Sequence, residues 1–374
     1  MHPEILIEKI KKIQLVLLLF CLVLLNSNIL YAQCESVQEE NLTNPGPFEV
    51  ETLTELDGIR NGPDYLGATI YYPTNGTPPY ASIAIVPGYV SYPSSVASWG
   101  PFYASHGIVT IIIGTNSIYD YPEDRAIALL DALETIKQEN RRTTSPLEGA
   151  LNLDQLAVSG WSMGGGGAQR AAVLDNSISG VVALCPWLPN PKLEHQSPVL
   201  IFSGENDTVA PPSEHADIHY AKTSNTTDRA LFEIANGNHY VANTPNGGGG
   251  AVGKIALSWL QLYVAKKECY CSLLTDNLLA DTPVASKIVK DFECASLGIN
   301  KERLGINLYP NPVKNNVNLD VFKDVHYKLF SPFGQSLLEG KLTGNHKQID
   351  LSQLPASIYF LQVEEQTIKL LKYN

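Results

Sequence analysis

The chain has 374 residues, with 26 Lys and Arg against 38 Asp and Glu, for a formal net charge of −12 at pH 7. That acidity, with no basic run in the main body of the chain, argues against nucleic acid or an anionic lipid surface as partner. It excludes nothing about a neutral substrate.

The first residues read as a secretory signal. Lys9, Lys11 and Lys12 precede the apolar run Leu15–Leu25, and "NILYAQ" places a cleavage site after Ala32, so that residues 1–32 leave. The run is shorter than the ~20 residues a spanning helix needs, so the rival reading, an N-terminal anchor, is set aside. Gln33 makes "YAQC" a poor lipidation site. The remaining ~340 residues suffice for two domains at ~100–200 residues each.

From Ile70 to Val264 buried-type strands alternate with helices. "ASIAIVPGY" and "GIVTIIIGT" are strands, the second an unbroken β-branched run that suits a strand covered on both faces. "YPEDRAIALLDALETIK" is helical, with Ala126, Leu129, Leu130 and Leu133 on one side. "LDQLAVSG" (strand) and "GGGAQRAAVLD" (helix) follow. Then come "SISGVVALCPW", "SPVLIFSGEND" and "RALFEIANGNH" as strands, with a helix through "PPSEHADIHYAK" and a closing helix "AVGKIALSWLQLYVAKK". This alternation predicts an α/β fold with a mostly parallel central sheet covered by helices. We place that domain at residues 33–297 and a linker at 298–303. Residues 304–374 hold only short alternating strands and turn signals, a small all-β sandwich.

Export permits disulfides. Cys34, Cys269, Cys271 and Cys294 lie at the edges of the first domain and are expected to form two bridges, one of the 269/271 pair to Cys294 and the other to Cys34. The pairing within the doublet stays open. Cys185, inside "VVALCPW", is expected to be a buried free thiol. Cys269-Tyr-Cys271 is too tight for zinc-ribbon spacing and no histidine pair completes a metal site with it, so neither metal nor cofactor is expected.

"GWSMG", Gly160 to Gly164, fits G-x-S-x-G between a strand and a helix, the setting of a nucleophile elbow at Ser162. A phosphate loop would need G-x-G-x-x-G, or a lysine followed by Ser/Thr; the four glycines run into Ala168-Gln169 instead. In this arrangement the acid and base follow in the order Ser, Asp, His after later strands. Asp207 in "SGEND" and His239 in "NGNHY" hold those positions, and the Tyr89 and Met163 amides are the expected oxyanion donors. His215 and His219, spaced i, i+4, could bind metal but read as a solvated face, with Asp217 beside them on the surface. His106 and His195 read as structural, and Asp154, Asp175 and Asp228 as caps.

"IVPGY", "ASHGIVTIII", "GWSMGGG", "CPW", "SGENDTVAPPSEHA" and "NGNHY", in that order, resemble bacterial cutinases and polyester (polyethylene terephthalate) hydrolases of the α/β-hydrolase fold. The likeness runs from about Asn44 to Ser296, including "DFECAS", where that family closes with a disulfide. It implies a triad of Ser162, Asp207 and His239, oxyanion donors at Tyr89 and Met163, and a substrate surface of Tyr89, Trp161, Trp187 and Tyr240, with Trp187 as the wall for an aromatic acyl group. Core packing is the alternative for Trp187. Tyr240 stands where many cutinases have Phe, and no lid-like insertion is evident.

The tail, "LGINLYPNPVKNNVNL" and "YFLQVEEQTIKLLKY", resembles the C-terminal sorting domain of the type IX secretion system of Bacteroidetes. A polymer-binding module would instead expose Tyr309, Phe330, Phe333 and Tyr359, which in alternating strands are expected to face a core. The chain is therefore expected to be a secreted or cell-surface monomer, a serine esterase acting on esters or polyesters and handled by the type IX machinery. The rivals are a short-chain or lipid esterase and a non-catalytic surface-binding protein on a hydrolase scaffold.

Overall fold

The computed structural model describes residues 37–280, 282–294, 307–320, 324–332, 334–343, 348–363 and 366–373. The expected signal segment, Cys34, the linker and Phe333 lie outside the described residues. The chain divides into two compact units, Met1–Cys294 and Ala295–Asn374.

The first unit is built on nine strands: β1 (Val50–Leu53), β2 (Ala68–Pro73), β3 (Tyr80–Val86), β4 (Ile108–Ile113), β5 (Leu151–Trp161), β6 (Gly180–Leu184), β7 (Val199–Gly204), β8 (Arg229–Ile234) and β9 (Ala285–Asp291). Their order in the sheet is β1-β2-β4-β3-β5-β6-β7-β8-β9. The stretch from β4 to β8 is parallel, while β1, β2 and β9 add antiparallel edges. Every residue of β3, β4 and β7 is buried, as a strand covered on both faces requires.

Alternation along β3 divides the core in two. Ile83 and Ile85 face a cluster with Trp99, Phe102 and Trp259, from helix α1 (Trp99–Ala104) and the closing helix Ala251–Tyr263. Ala84 and Val86 face a cluster with Leu129, Leu133, Ala168 and Ala171, from helices α2 (Pro122–Glu139) and α3 (Met163–Leu174). This is the α/β-hydrolase architecture.

The glycine run is a packing device. A Cβ on Gly164 would lie 2.5 Å from the Val86 carbonyl oxygen, and one on Gly166 would lie 2.4 Å from that of Trp187. Helix α3 can press against the ends of β3 and β6 only without side chains there.

Cys271 and Cys294 form a disulfide, so the expected bridge from the doublet to Cys294 uses Cys271. Cys185 is buried, and burial pushes its thiol well up from the ordinary range.

In the second unit, antiparallel strands β10 (Asn307–Tyr309), β11 (Asn316–Asp320) and β14 (Gln348–Asp350) form one sheet. Strands β12 (Val325–Phe330), β13 (Ser336–Leu342), β15 (Ser357–Val363) and β16 (Gln366–Lys372) form another. Both contribute to one core, with Val317 and Leu319 from the first and Leu329, Leu361 and Leu370 from the second. Tyr359 is in that core as expected, whereas Tyr309 is 49% exposed, because β10 is a short edge strand.

Candidate functional site

Five parallel strands end at one edge of the sheet, and their trailing loops carry the expected residues: Tyr89 after β3, Ser162 after β5, Trp187 after β6, Asp207 after β7 and His239 after β8. The carboxyl edge of an open parallel sheet is where ligands bind in such folds.

Ser162 sits between β5 and α3 with φ 59° and ψ −122°, a conformation costly for a residue with a side chain. Val90 and Cys185, at the ends of β3 and β6, also hold positive φ, so strain gathers around this edge. The Ser162 hydroxyl lies 2.9 Å from His239 Nε2, and His239 Nδ1 lies 2.7 Å from Asp207 Oδ2. The Val209 and Ala210 amides each donate to Asp207 Oδ1 at 2.8 Å, which holds the carboxylate still. With Nδ1–H donating to the carboxylate, Nε2 presents a lone pair to the serine. All three residues are buried. The arrangement can draw the hydroxyl proton onto the imidazole and stabilise the resulting cation.

The chain after β3 also passes close to the serine. A Cβ on Gly88 would come 2.8 Å from that of Ser162. Among the described residues the Tyr89 and Met163 amides donate to no main-chain carbonyl. Both stand beside Ser162 in sequence or space, Met163 as the first residue of α3.

The expected substrate surface divides in two. Tyr89 is 42% and Tyr240 59% exposed, and Trp187 is half-buried on the His215 ring, 5.5 Å between centroids. Trp161 is only 4% exposed, and its indole N–H donates to the His239 carbonyl at 2.8 Å. It braces the histidine loop, and its ring lies 5.2 Å from that of Tyr240.

His215 and His219 do not form the solvated face that their spacing implied, since the loop after β6 covers them. His219 is fully buried; its Nε2 bonds the Leu188 carbonyl at 3.0 Å and its Nδ1 the Gln169 amide at 2.9 Å. Burial pushes it down to about 4. His215 is buried against Trp187, with Nδ1 accepting from the Leu188 amide at 3.3 Å, and burial lowers it too. Asp217 is paired with Lys287 at 2.9 Å. His106 bonds the Thr43 carbonyl at 2.8 Å, a structural role. Among the described residues no group of three or more His, Cys, Asp or Glu is placed to hold a metal ion.

A residue-by-residue reading missed Arg125. It is fully buried and donates to the carbonyls of Pro87, Ile118 and Asp120 at 2.9, 3.2 and 3.0 Å. The signal was there: Arg125 shares a helix face with Leu129, Ala132 and Ile136, all fully buried.

A family model described as PET hydrolase-like matches residues 36–291. The chain belongs to the PET hydrolase-like family. A second family model, described as a secretion system C-terminal sorting domain, matches residues 307–373.

Among the relatives of this family member is a bis(hydroxyethyl) terephthalate hydrolase of Streptomyces coelicolor, 36% identical over 251 residues, covering 66% of this chain and 76% of the relative. Cutinase est1 of Thermobifida alba is 36% identical over 61% of this chain and 75% of its own. Lipase 1 of a Moraxella species is 33% identical over 62% of this chain and 70% of its own. This PET hydrolase-like protein is a carboxylic ester hydrolase, and its sorting domain directs it through type IX secretion to the cell surface or beyond. No described helix is long and apolar enough to cross a membrane.

Proposed function

We propose that the protein is a serine hydrolase of aromatic polyesters that works as a monomer through an acyl-enzyme on Ser162. The Ser162 hydroxyl attacks the ester carbonyl carbon while His239 Nε2 takes its proton. Asp207 holds the imidazole orientation and stabilises the imidazolium. The Tyr89 and Met163 amides stabilise the tetrahedral oxyanion. Collapse breaks the ester C–O bond, and His239 passes the proton to the leaving alcohol. A water molecule, deprotonated by the same histidine, then attacks the acyl carbon and releases the acid and the free serine.

The unbroken hydrogen-bonded line from Ser162 through His239 to Asp207 carries this proposal. The polyester part draws support from the exposed aromatic side chains on the loops near the serine. Tyr89 packs its ring 5.8 Å from Tyr119 and 6.3 Å from Tyr121, both exposed, and Trp187 and Tyr240 follow β6 and β8 at the same sheet edge. Such rings give an aromatic acyl unit offset and edge contacts worth about 0.5–1.5 kcal/mol each. The terephthalate named for the Streptomyces relative fits the same surface.

The rival, a short-chain or lipid esterase without polymer activity, is favoured by the relative named Lipase 1. Hydrolysis of p-nitrophenyl butyrate alongside acid release from polyester film separates the two. Both activities are expected; butyrate hydrolysis with no film release would leave the esterase and remove the polymer substrate.

A further inference from the structure

The Tyr89 amide belongs to the peptide joining Gly88 to Tyr89, and that peptide has no regular secondary structure to hold it. Its two flanks are fastened. Upstream, the Pro87 carbonyl accepts from Arg125 Nη1 at 2.9 Å. Downstream, the Val90 amide donates to the Ile118 carbonyl at 2.7 Å, and that same carbonyl accepts from Arg125 Nη2 at 3.2 Å. Arg125 Nε bonds the Asp120 carbonyl at 3.0 Å, closing the turn that carries Tyr119 and Tyr121 against Tyr89. Both fastenings end on one guanidinium.

A fully buried guanidinium is costly to keep unless its nitrogens are hydrogen-bonded. Here its fork ends on three main-chain carbonyls. A leucine or methionine would fill the volume on this face of α2 without that desolvation cost, and an ammonium could not present the same planar fork. The helix is also pressed close: a Cβ on Gly167 of α3 would lie 2.8 Å from the Arg125 Cβ, so the guanidinium stem is held in place from the nucleophile's own helix.

We propose that Arg125 is a positioning residue of the oxyanion hole, fastening both flanks of the Gly88–Tyr89 peptide so that the Tyr89 N–H stays aimed at the developing oxyanion. This rests on the role proposed above for Tyr89. Arg125 itself touches no reacting atom. A hydrogen-bond donor displaced by a fraction of an ångström loses most in the transition state, where the charge is largest, and little in the ground state.

The test uses the full-length protein with Arg125→Lys and Arg125→Met. Active sites are titrated to completion with a fluorophosphonate, so that inactive molecules are not counted. On p-nitrophenyl butyrate, kcat is expected to fall roughly 10- to 100-fold with KM within about twofold, and Lys should lose less than Met. Affinity for a phenylboronic acid, a mimic of the tetrahedral intermediate, should weaken by the same factor as kcat, while the pH midpoint of the reaction stays in place.

Titrated variants with unchanged kcat and boronate affinity, lowered only in thermal midpoint, would show that Arg125 merely supports the fold. Failure of both variants to fold would contradict the proposal equally, because positioning leaves the fold standing. If the wild-type serine is not labelled at all, the reading of Ser162 fails first, and visibly so.

Discussion

Two kinds of group stand near Ser162: the side chains of His239 and Asp207, and the main-chain amides of Tyr89 and Met163. His239 and Asp207 reach the serine through two directed hydrogen bonds, and two further amides fix the carboxylate. The Tyr89 and Met163 amides have no such chemistry of their own. In the proposed mechanism Met163 is aimed by the start of α3, and Tyr89 by a loop whose flanks are hydrogen-bonded to Arg125. An acid–base pair can be specified by residue type, whereas a main-chain donor must be specified by whatever holds the chain. The proposed oxyanion half of the site would therefore depend on residues that never touch the substrate.

The largest expected effect falls on the side-chain half. Asp207→Asn leaves the shape intact but lets the imidazole adopt the wrong tautomer, and kcat should fall about 10³- to 10⁴-fold in steady-state hydrolysis of a soluble ester. A loss under tenfold would break the contrast, because Asp207 would then be a structural cap.

Next come two buried histidines, His195 and His219. Burial holds the His195 and His219 imidazoles down at about 4 from an ordinary 6.5, while the unfolded chain takes up protons from about pH 6.5 downward. Between those values the unfolded state binds more protons, so stability is complete above pH 6.5 and is lost as pH falls toward 4. Each histidine contributes on the order of 3 kcal/mol by linkage. Unfolding midpoints measured from pH 7 to 4 should drop steeply, and His219→Gln should flatten the slope.

On the main-chain half, Gly88→Ala puts a methyl group against Ser162 and Trp161 and shifts the oxyanion peptide. We expect kcat to fall roughly 10- to 100-fold with little change in KM. An equal rise in KM would place the damage in binding instead. The smallest effect belongs to the rim. Tyr119→Ser with Tyr121→Ser should slow acid release from film about two- to tenfold and leave p-nitrophenyl butyrate hydrolysis unchanged, each lost ring contact being worth about 0.5–1.5 kcal/mol.

The same contrast explains what was legible in the sequence. The parallel strands announced themselves as unbroken apolar runs, and Ser162, Asp207 and His239 stood at the ends of such runs in the order the chemistry needs. The edges were harder. β9 reads "ASKIVKD", half-exposed along its length, and gives neither a clean alternation nor an apolar run. His219 was misjudged because burial of the face of Ala216–Lys222 depends on the distant loop at Leu188, which no local pattern reports. Arg125 hid in "EDR", where a charged run suggests a solvated first turn. Only the three apolar residues sharing its face pointed inward.

The most direct test of the central claim is Ser162→Ala in the otherwise intact chain, compared with wild type for fluorophosphonate labelling and for ester hydrolysis. Stoichiometric labelling of wild type, none of the variant, and a loss of kcat of about 10⁴-fold or more are predicted. Hydrolysis that survives in Ser162→Ala would contradict an acyl-enzyme on this serine.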